Sequence, residues 1–161
     1  MKLIPFFLLL LLFLIPIDSI YAEQPPEFWI KSMEGKRFRS SKQNSPYVIS
    51  FFFVNCPPCK KEIPMLHQFM STNYPSIPVL FIDPIKSDSK KDIKKFANKT
   101  LKVPLSLFYK DSFGSISKKF FKKGKMYFPT IVGIKGNKYL FRYSKIDNKI
   151  LNEITSLLQN P

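Results

Sequence analysis

Apolar residues occur along this chain in two kinds of run. Tyr47–Val54 (YVISFFFV) and Pro78–Asp83 (PVLFID) are short, continuous and rich in β-branched and aromatic side chains, the pattern of strands buried on both faces. Elsewhere the period lengthens. From Cys59 to about Thr72, residues Cys59, Ile63, Leu66 and Met70 share one helical stripe. Asp88–Lys99 places Ile93, Phe96 and Ala97 at i, i+3 and i+4, and Ile150–Leu158 aligns Ile150, Ile154, Leu157 and Leu158. Phe28–Met33 and Lys36–Arg39 flank Glu34-Gly35, a hairpin signal. Leu105–Tyr109 reads as a short strand and Ser115–Phe121 as a short helix. Thr130–Ile134 and Tyr139–Tyr143 read as antiparallel strands around Lys135-Gly136-Asn137. Strands and helices alternate through the middle, so that part of the sheet is expected to be parallel with right-handed crossovers. The class is α/β with a mixed sheet.

The N-terminus breaks this pattern. Lys2 precedes an uncharged run from Leu3 to Ile17, bounded by Pro5, Pro16 and Asp18, and Ala22 stands just before Glu23. Fifteen residues fall short of the ~20 that an α-helix needs to cross a hydrocarbon core. Residues 1–22 are therefore read as a cleaved secretory signal or an uncleaved membrane anchor, 23–27 as a linker and 28–161 as one domain. Either reading puts the domain outside the cytoplasm, in a periplasm or cell envelope, with residues 3–17 available for membrane association. The 161 residues leave no room for a second core, and 45% hydrophobic content excludes a disordered chain.

The chemistry is carried by the only two cysteines, Cys56 and Cys59, placed between a buried strand and the mouth of a helix. Cys56 is expected at or just before the helix N-terminus, where free N–H groups and the helix dipole favour a thiolate, making it the nucleophile. Pro57 suits the first helical position. Cys59 lies on the stripe that packs against the sheet, so it is expected to be the more buried, resolving sulfur. A structural disulfide closing two residues would stabilise weakly. A zinc site lacks further thiolates, with His67 the only histidine. A redox-active Cys56–Cys59 disulfide is the reading that uses the whole arrangement, and it calls for no cofactor and no metal.

Three stretches resemble the thioredoxin superfamily, and within it the exported TlpA/ResA-type thiol–disulfide oxidoreductases. These are Phe28-Trp29-Ile30 with Met33-Glu34-Gly35-Lys36, the segment Phe51 to Pro64 containing Cys56-Pro57-Pro58-Cys59, and Phe128-Pro129-Thr130 followed by Ile131 to Ile134. The resemblance spans about residues 27–159. It implies a thioredoxin-like fold with an N-terminal β-hairpin and a central strand–helix insertion. It also implies a cis-proline at Pro129 facing the cysteines, with the Phe128 backbone free to pair with an extended substrate. Glu62 matches a glutamate that the group keeps near its active site, a candidate proton acceptor for Cys59. Two positions depart from the pattern. Asn55, expected with Phe128 to face substrate, stands where the group usually has tryptophan, and Ser50 stands where thioredoxins bury a carboxylate.

The resemblance implies an extracytoplasmic enzyme acting on protein disulfides or thiols, with cytochrome c maturation as one task and a membrane protein as electron donor. Pro57 and Pro58 remove two N–H groups from the first turn, so the Cys56 thiolate is less stabilised and the pair is expected to reduce rather than oxidise. The alternatives are a disulfide oxidase or isomerase, and a thioredoxin-like copper chaperone, for which His67 lies two turns along the helix from the cysteines. Net charge is +15, concentrated in lysine. Lys118, Lys119, Lys122, Lys123 and Lys125 read as a solvated face more readily than as a lipid or acidic-partner site. No nucleic-acid-binding module is recognisable.

Overall fold

The structure, a computed structural model, describes residues 23–121 and 125–159; the N-terminal address segment and Lys122 and Lys123 lie outside them. Among the described residues, seven strands form two sheets. β1 (Trp29–Lys31) and β2 (Arg37–Arg39) make an antiparallel ribbon. β3 (Tyr47–Phe51), β4 (Val79–Asp83), β5 (Phe108–Lys110), β6 (Thr130–Lys135) and β7 (Lys138–Tyr143) form the main sheet, in the order β5-β4-β3-β6-β7. β3, β4 and β5 are parallel, while β6 runs antiparallel to both β3 and β7, so the sheet is mixed. The helices are α1 (Cys59–Asn73), α2 (Lys90–Lys95), α3 (Ser117–Phe120) and α4 (Asn148–Gln159).

Each face of the sheet carries its own core. Val48, Phe52, Phe81, Phe108, Ile131 and Phe141 pack against α1, α2 and α4 through Ile63, Leu66, Met70, Ile93, Ile150 and Ile154, and both cysteines belong to this cluster. Ile49, Phe51, Leu80, Ile82, Val132 and Ile134 face the ribbon and α3, meeting Phe28, Ile30, Phe38 and Phe120. Alternation along β3 assigns successive residues to opposite clusters, which is why this strand is apolar without interruption except for Ser50. The ribbon also closes one margin of the sheet. Ser32 bridges Tyr109, and the Met33 N–H donates to the Phe108 carbonyl at 2.8 Å.

Several boundaries differ from the sequence reading. β3 ends at Phe51 rather than Val54, although the Phe52 N–H still donates to the Ile82 carbonyl. The helix expected from Asp88 begins at Lys90, because Ser89 and Asp92 form a reciprocal capping box that fixes its start. It continues beyond Lys95 as a wider π-type turn over Phe96–Leu101. Leu105–Leu107 is a 3₁₀ turn opened by Pro104, and only Phe108–Lys110 pairs with β4. Ser115–Phe121 shortens to α3, whose first amides, Ile116 and Ser117, donate to the Asp111 carboxylate at 3.0 and 2.9 Å.

The β6–β7 pairing shifts register between Gly133 and Ile134. A Cβ on Gly133 would meet the buried Phe141 ring at 2.3 Å, so glycine is required there for close approach rather than for a special φ. Gly133→Ala is expected to destabilise the fold by about 1–3 kcal/mol, read as a lower urea midpoint. An unchanged midpoint would show that Phe141 can move aside.

Candidate active site at the end of the central strand

The polypeptide leaves β3 through Phe52, Phe53, Val54 and Asn55, and that exit is fixed from three directions. The Phe52 amide continues the β4 ladder, at 3.1 Å from the Ile82 carbonyl. The Val54 amide donates to the Asp88 carboxylate at 2.8 Å. The Phe53 ring meets the Phe128 ring edge-on, with centroids 5.2 Å apart. Asn55 then adopts a left-handed φ of 67°, and the Cys56 N–H closes the turn on the Phe53 carbonyl. Asparagine tolerates this backbone far better than a bulky residue does. That gives Asn55 a conformational reason to stand where the resemblance has tryptophan. Its side chain is exposed.

Cys56 and Cys59 form a disulfide with a Cα–Cα separation of 5.2 Å. Two sequence expectations need correction. The helix begins at Cys59 with Pro58 as its N-cap, so Pro57 is not in the first helical position, while Cys56 stands just before the helix with its carbonyl accepting from the Lys60 N–H. A residue before proline is disfavoured from the α region, and Pro58 follows Pro57. Nor is Cys56 the more exposed sulfur: both cysteines are completely buried, because the bridge draws Cys56 into the cluster that holds Cys59.

The amides of this turn can be assigned one by one. Pro57 and Pro58 have none. Lys60 donates to the Cys56 carbonyl, and Lys61 and Glu62 donate to the Pro58 carbonyl. The Cys59 N–H alone of this group points at the Cys56 sulfur, at 3.3 Å. In the loop before β6, the Phe128–Pro129 peptide bond is cis. Because Thr130 pairs with Phe51 and the Phe128 ring meets Phe53, the buried Pro129 is level with the exit of β3. Phe128 is half-buried and Tyr127 is exposed, as are Asn55, Pro57 and Pro58.

Glu62 lies one turn beyond Cys59 on α1. Its carboxylate accepts from the Ile146 N–H at 2.6 Å, and partial burial raises its pKa despite that bond. His67 is not brought to the sulfurs: it lines a groove with Phe38, Met70 and Tyr74 beneath the ribbon, and burial lowers its pKa. Lys118, Lys119 and Lys125 are exposed, while Phe120 between them is core.

A second buried carboxylate was not singled out from sequence. Asp83 ends β4 on the cysteine side of the sheet, one strand over from Ser50, with its side chain fully enclosed. Lys110 Nζ lies 3.0 Å from Asp83 Oδ1 and also donates to the Ile85 carbonyl; the Ile85 N–H donates to the same carboxylate oxygen at 2.8 Å. Oδ2 has no hydrogen-bond partner among the described residues. Burial pushes this carboxyl up to about 7, against the pull of Lys110. The network pins the turn that carries Asp88, and Asp88 in turn holds the Val54 amide two residues before Cys56. The signal was present in sequence as an acid closing an otherwise apolar strand.

No protein-family model and no curated protein sequence matches this chain. Solved structures do. A secreted disulfide oxidoreductase of Mycobacterium tuberculosis, homologous to E. coli DsbE, superposes with a TM-score of 0.62 at 19% identity, covering 83% of this chain and 96% of that one. StoA from Bacillus subtilis gives 0.66 at 21%, covering 81% and 97%. A thiol:disulfide interchange protein of the thioredoxin family from Chlorobium tepidum gives 0.66 at 18%, covering 86% and 95%. The fold is thioredoxin-like.

A carboxyl whose pKa is raised in the folded state favours folding while it is protonated. That contribution is complete below the unfolded value near 4 and is lost as pH rises through about 7. Asp83→Asn removes it. Relative to the parent, the variant is expected to gain about 1–4 kcal/mol between pH 4 and 8, measured by urea unfolding at both pH values. Parallel pH profiles for the two proteins would show that Asp83 does not titrate in this range.

Proposed function

We propose that this protein is a thiol–disulfide oxidoreductase that reduces disulfides of exported proteins outside the cytoplasm. The reading rests on one observation: the Cys59 amide is the only N–H of the Cys56–Glu62 turn directed at the Cys56 sulfur, in a bridge level with the Phe128–Pro129 loop. A thiolate supported by one donor is held less strongly than one facing several. Its reduced form is then less favoured, and the pair gives electrons more readily.

In the reduced protein the Cys56 thiolate attacks one sulfur of a substrate disulfide. A Cys56–substrate bond forms, the substrate S–S bond breaks, and the departing sulfur takes a proton. Cys59 then passes its proton to Glu62, whose burial-raised basicity suits an acceptor, and attacks the Cys56 sulfur. The second substrate thiol leaves. The client has gained two electrons and the protein is left with the Cys56–Cys59 bridge seen in the structure. A dithiol donor protein at the membrane restores the reduced form by the same exchange in reverse.

Phe128 and Asn55 border the place where an extended client strand would lie, the backbone of Phe128 offering main-chain pairing and Pro129 contributing no competing N–H. The apolar run at residues 3–17 and the secreted character of the Mycobacterium tuberculosis neighbour support a location in the periplasm or cell envelope. Cysteine pairs of exported proteins, those that receive haem in c-type cytochromes among them, are the client class we propose.

Equilibration with glutathione is expected to place the reduction potential nearer thioredoxin's ~−270 mV than the strongly oxidising ~−120 mV; a value near the latter would overturn the direction. Cys59→Ser is expected to accumulate mixed disulfides through Cys56 when expressed with the leader intact, and Cys56→Ser is not. Equal trapping by both variants would overturn the assignment of nucleophile and resolving thiol.

A further inference from the structure

The β1–β2 ribbon has one buried and one open face. Ile30 and Phe38 point into the core, whereas Trp29, Lys31, Arg37 and Arg39 are exposed, paired across the ribbon as Trp29 with Arg39 and Lys31 with Arg37. The Arg37 guanidinium lies 5.6 Å from the centre of the Trp29 ring, and the indole remains 62% exposed. No carboxylate forms an ion pair with these three cations among the described residues. The nearest acids in sequence are Glu27 before the ribbon and Glu34 at its turn, both exposed. Phe113, 87% exposed, shares a groove of about 760 Å³ with Trp29, Lys31 and Lys119. The face is thus positive and aromatic together, and among the described residues none covers it.

We propose that this ribbon face docks the domain on an anionic phospholipid surface, with Trp29 entering the headgroup layer and Lys31, Arg37 and Arg39 meeting lipid phosphates. An acidic protein would also satisfy the cations; what favours lipid is that the indole and three cations share one ribbon face a short tether from the apolar run at residues 3–17. At a bilayer boundary an amphipathic ring is at home, and each nearby Lys or Arg strengthens attachment to anionic lipid. Chain order points the same way. The ribbon is the first element of the described residues, and the chain from Ile17, where the apolar run ends, to Trp29 spans at most roughly 40 Å. A single weak anchor gives only marginal attachment, and a basic patch is the usual second element of a stable one. This inference concerns attachment and stands apart from the direction of thiol exchange.

Trp29 is the only tryptophan in the chain, so its fluorescence reports this face alone. The full chain is reconstituted into phosphatidylcholine vesicles with or without 30% phosphatidylglycerol, each containing brominated lipid as a quencher. We expect Trp29 to be blue-shifted and quenched at least twofold more strongly in the anionic vesicles, with the excess abolished by 0.5 M salt and by K31E/R37E/R39E. The neutral variant K31Q/R37Q/R39Q is expected to lose the excess as well, which covers the case in which the reversed charges impair folding. Turnover of a soluble disulfide substrate is expected to be unchanged in a correctly folded variant. Equal quenching in neutral and anionic vesicles overturns the proposal, as does excess quenching that survives both variants. An equal blue shift with soluble polyglutamate assigns the face to an acidic protein instead, and one with inorganic phosphate assigns it to a free anion; either result also overturns docking to lipid.

Discussion

The reactive end of this protein depends on how β3 is made to stop. A strand buried on both faces has nowhere to send a side chain except into the core, so a usable sulfur requires the chain to leave the sheet at a defined point. Here the exit is held by a carbonyl on the neighbouring strand, a carboxylate from the β4–α2 turn and an aromatic ring from the loop before β6. None of these contacts involves a cysteine. Together they fix the path of the chain into the Cys56 turn, and the pairing of Phe51 with Thr130 brings the Phe128–Pro129 loop level with the end of β3.

The turn itself is governed by what proline lacks. A helix N-terminus ordinarily presents several unpaired N–H groups, and a thiolate placed there is stabilised by all of them. With Pro57 and Pro58 in the turn, two donors never exist, and the next ones are claimed by the carbonyls of Cys56 and Pro58. The helix dipole is still present, but it begins at Cys59. One amide facing one sulfur is a smaller electrostatic bias than the motif's position in the fold alone would suggest.

Much of this architecture was legible in the chain. The unbroken apolar runs of β3 and β4, the stripe Cys59-Ile63-Leu66-Met70 and the glycine-centred hairpins all correspond to elements of the fold, because each satisfies a periodicity that only one backbone geometry serves. Boundaries were less legible where side chains or prolines decide them. The Ser89–Asp92 box moved the start of α2, Pro104 bent the beginning of the β5 segment, and Pro58 delayed α1. The burial of Cys56 could not be read from spacing, since it follows from the bridge rather than from the helix face. Asp83 was visible as a residue but not as a partner, because Lys110 lies 27 positions away and meets it only through the pairing of β4 with β5.

The contact of the ribbon with β5 has a consequence for how copies of this chain behave at high concentration. A strand at the margin of a sheet invites a foreign strand to complete its ladder. On the β5 side the Ser32–Tyr109 bridge and the Met33 amide occupy those groups, so that margin is plugged from within. The other margin, β7, displays Lys138 and Arg142 to solvent. One flank is closed and the other is charged, which disfavours fibre growth by lateral addition without any further device.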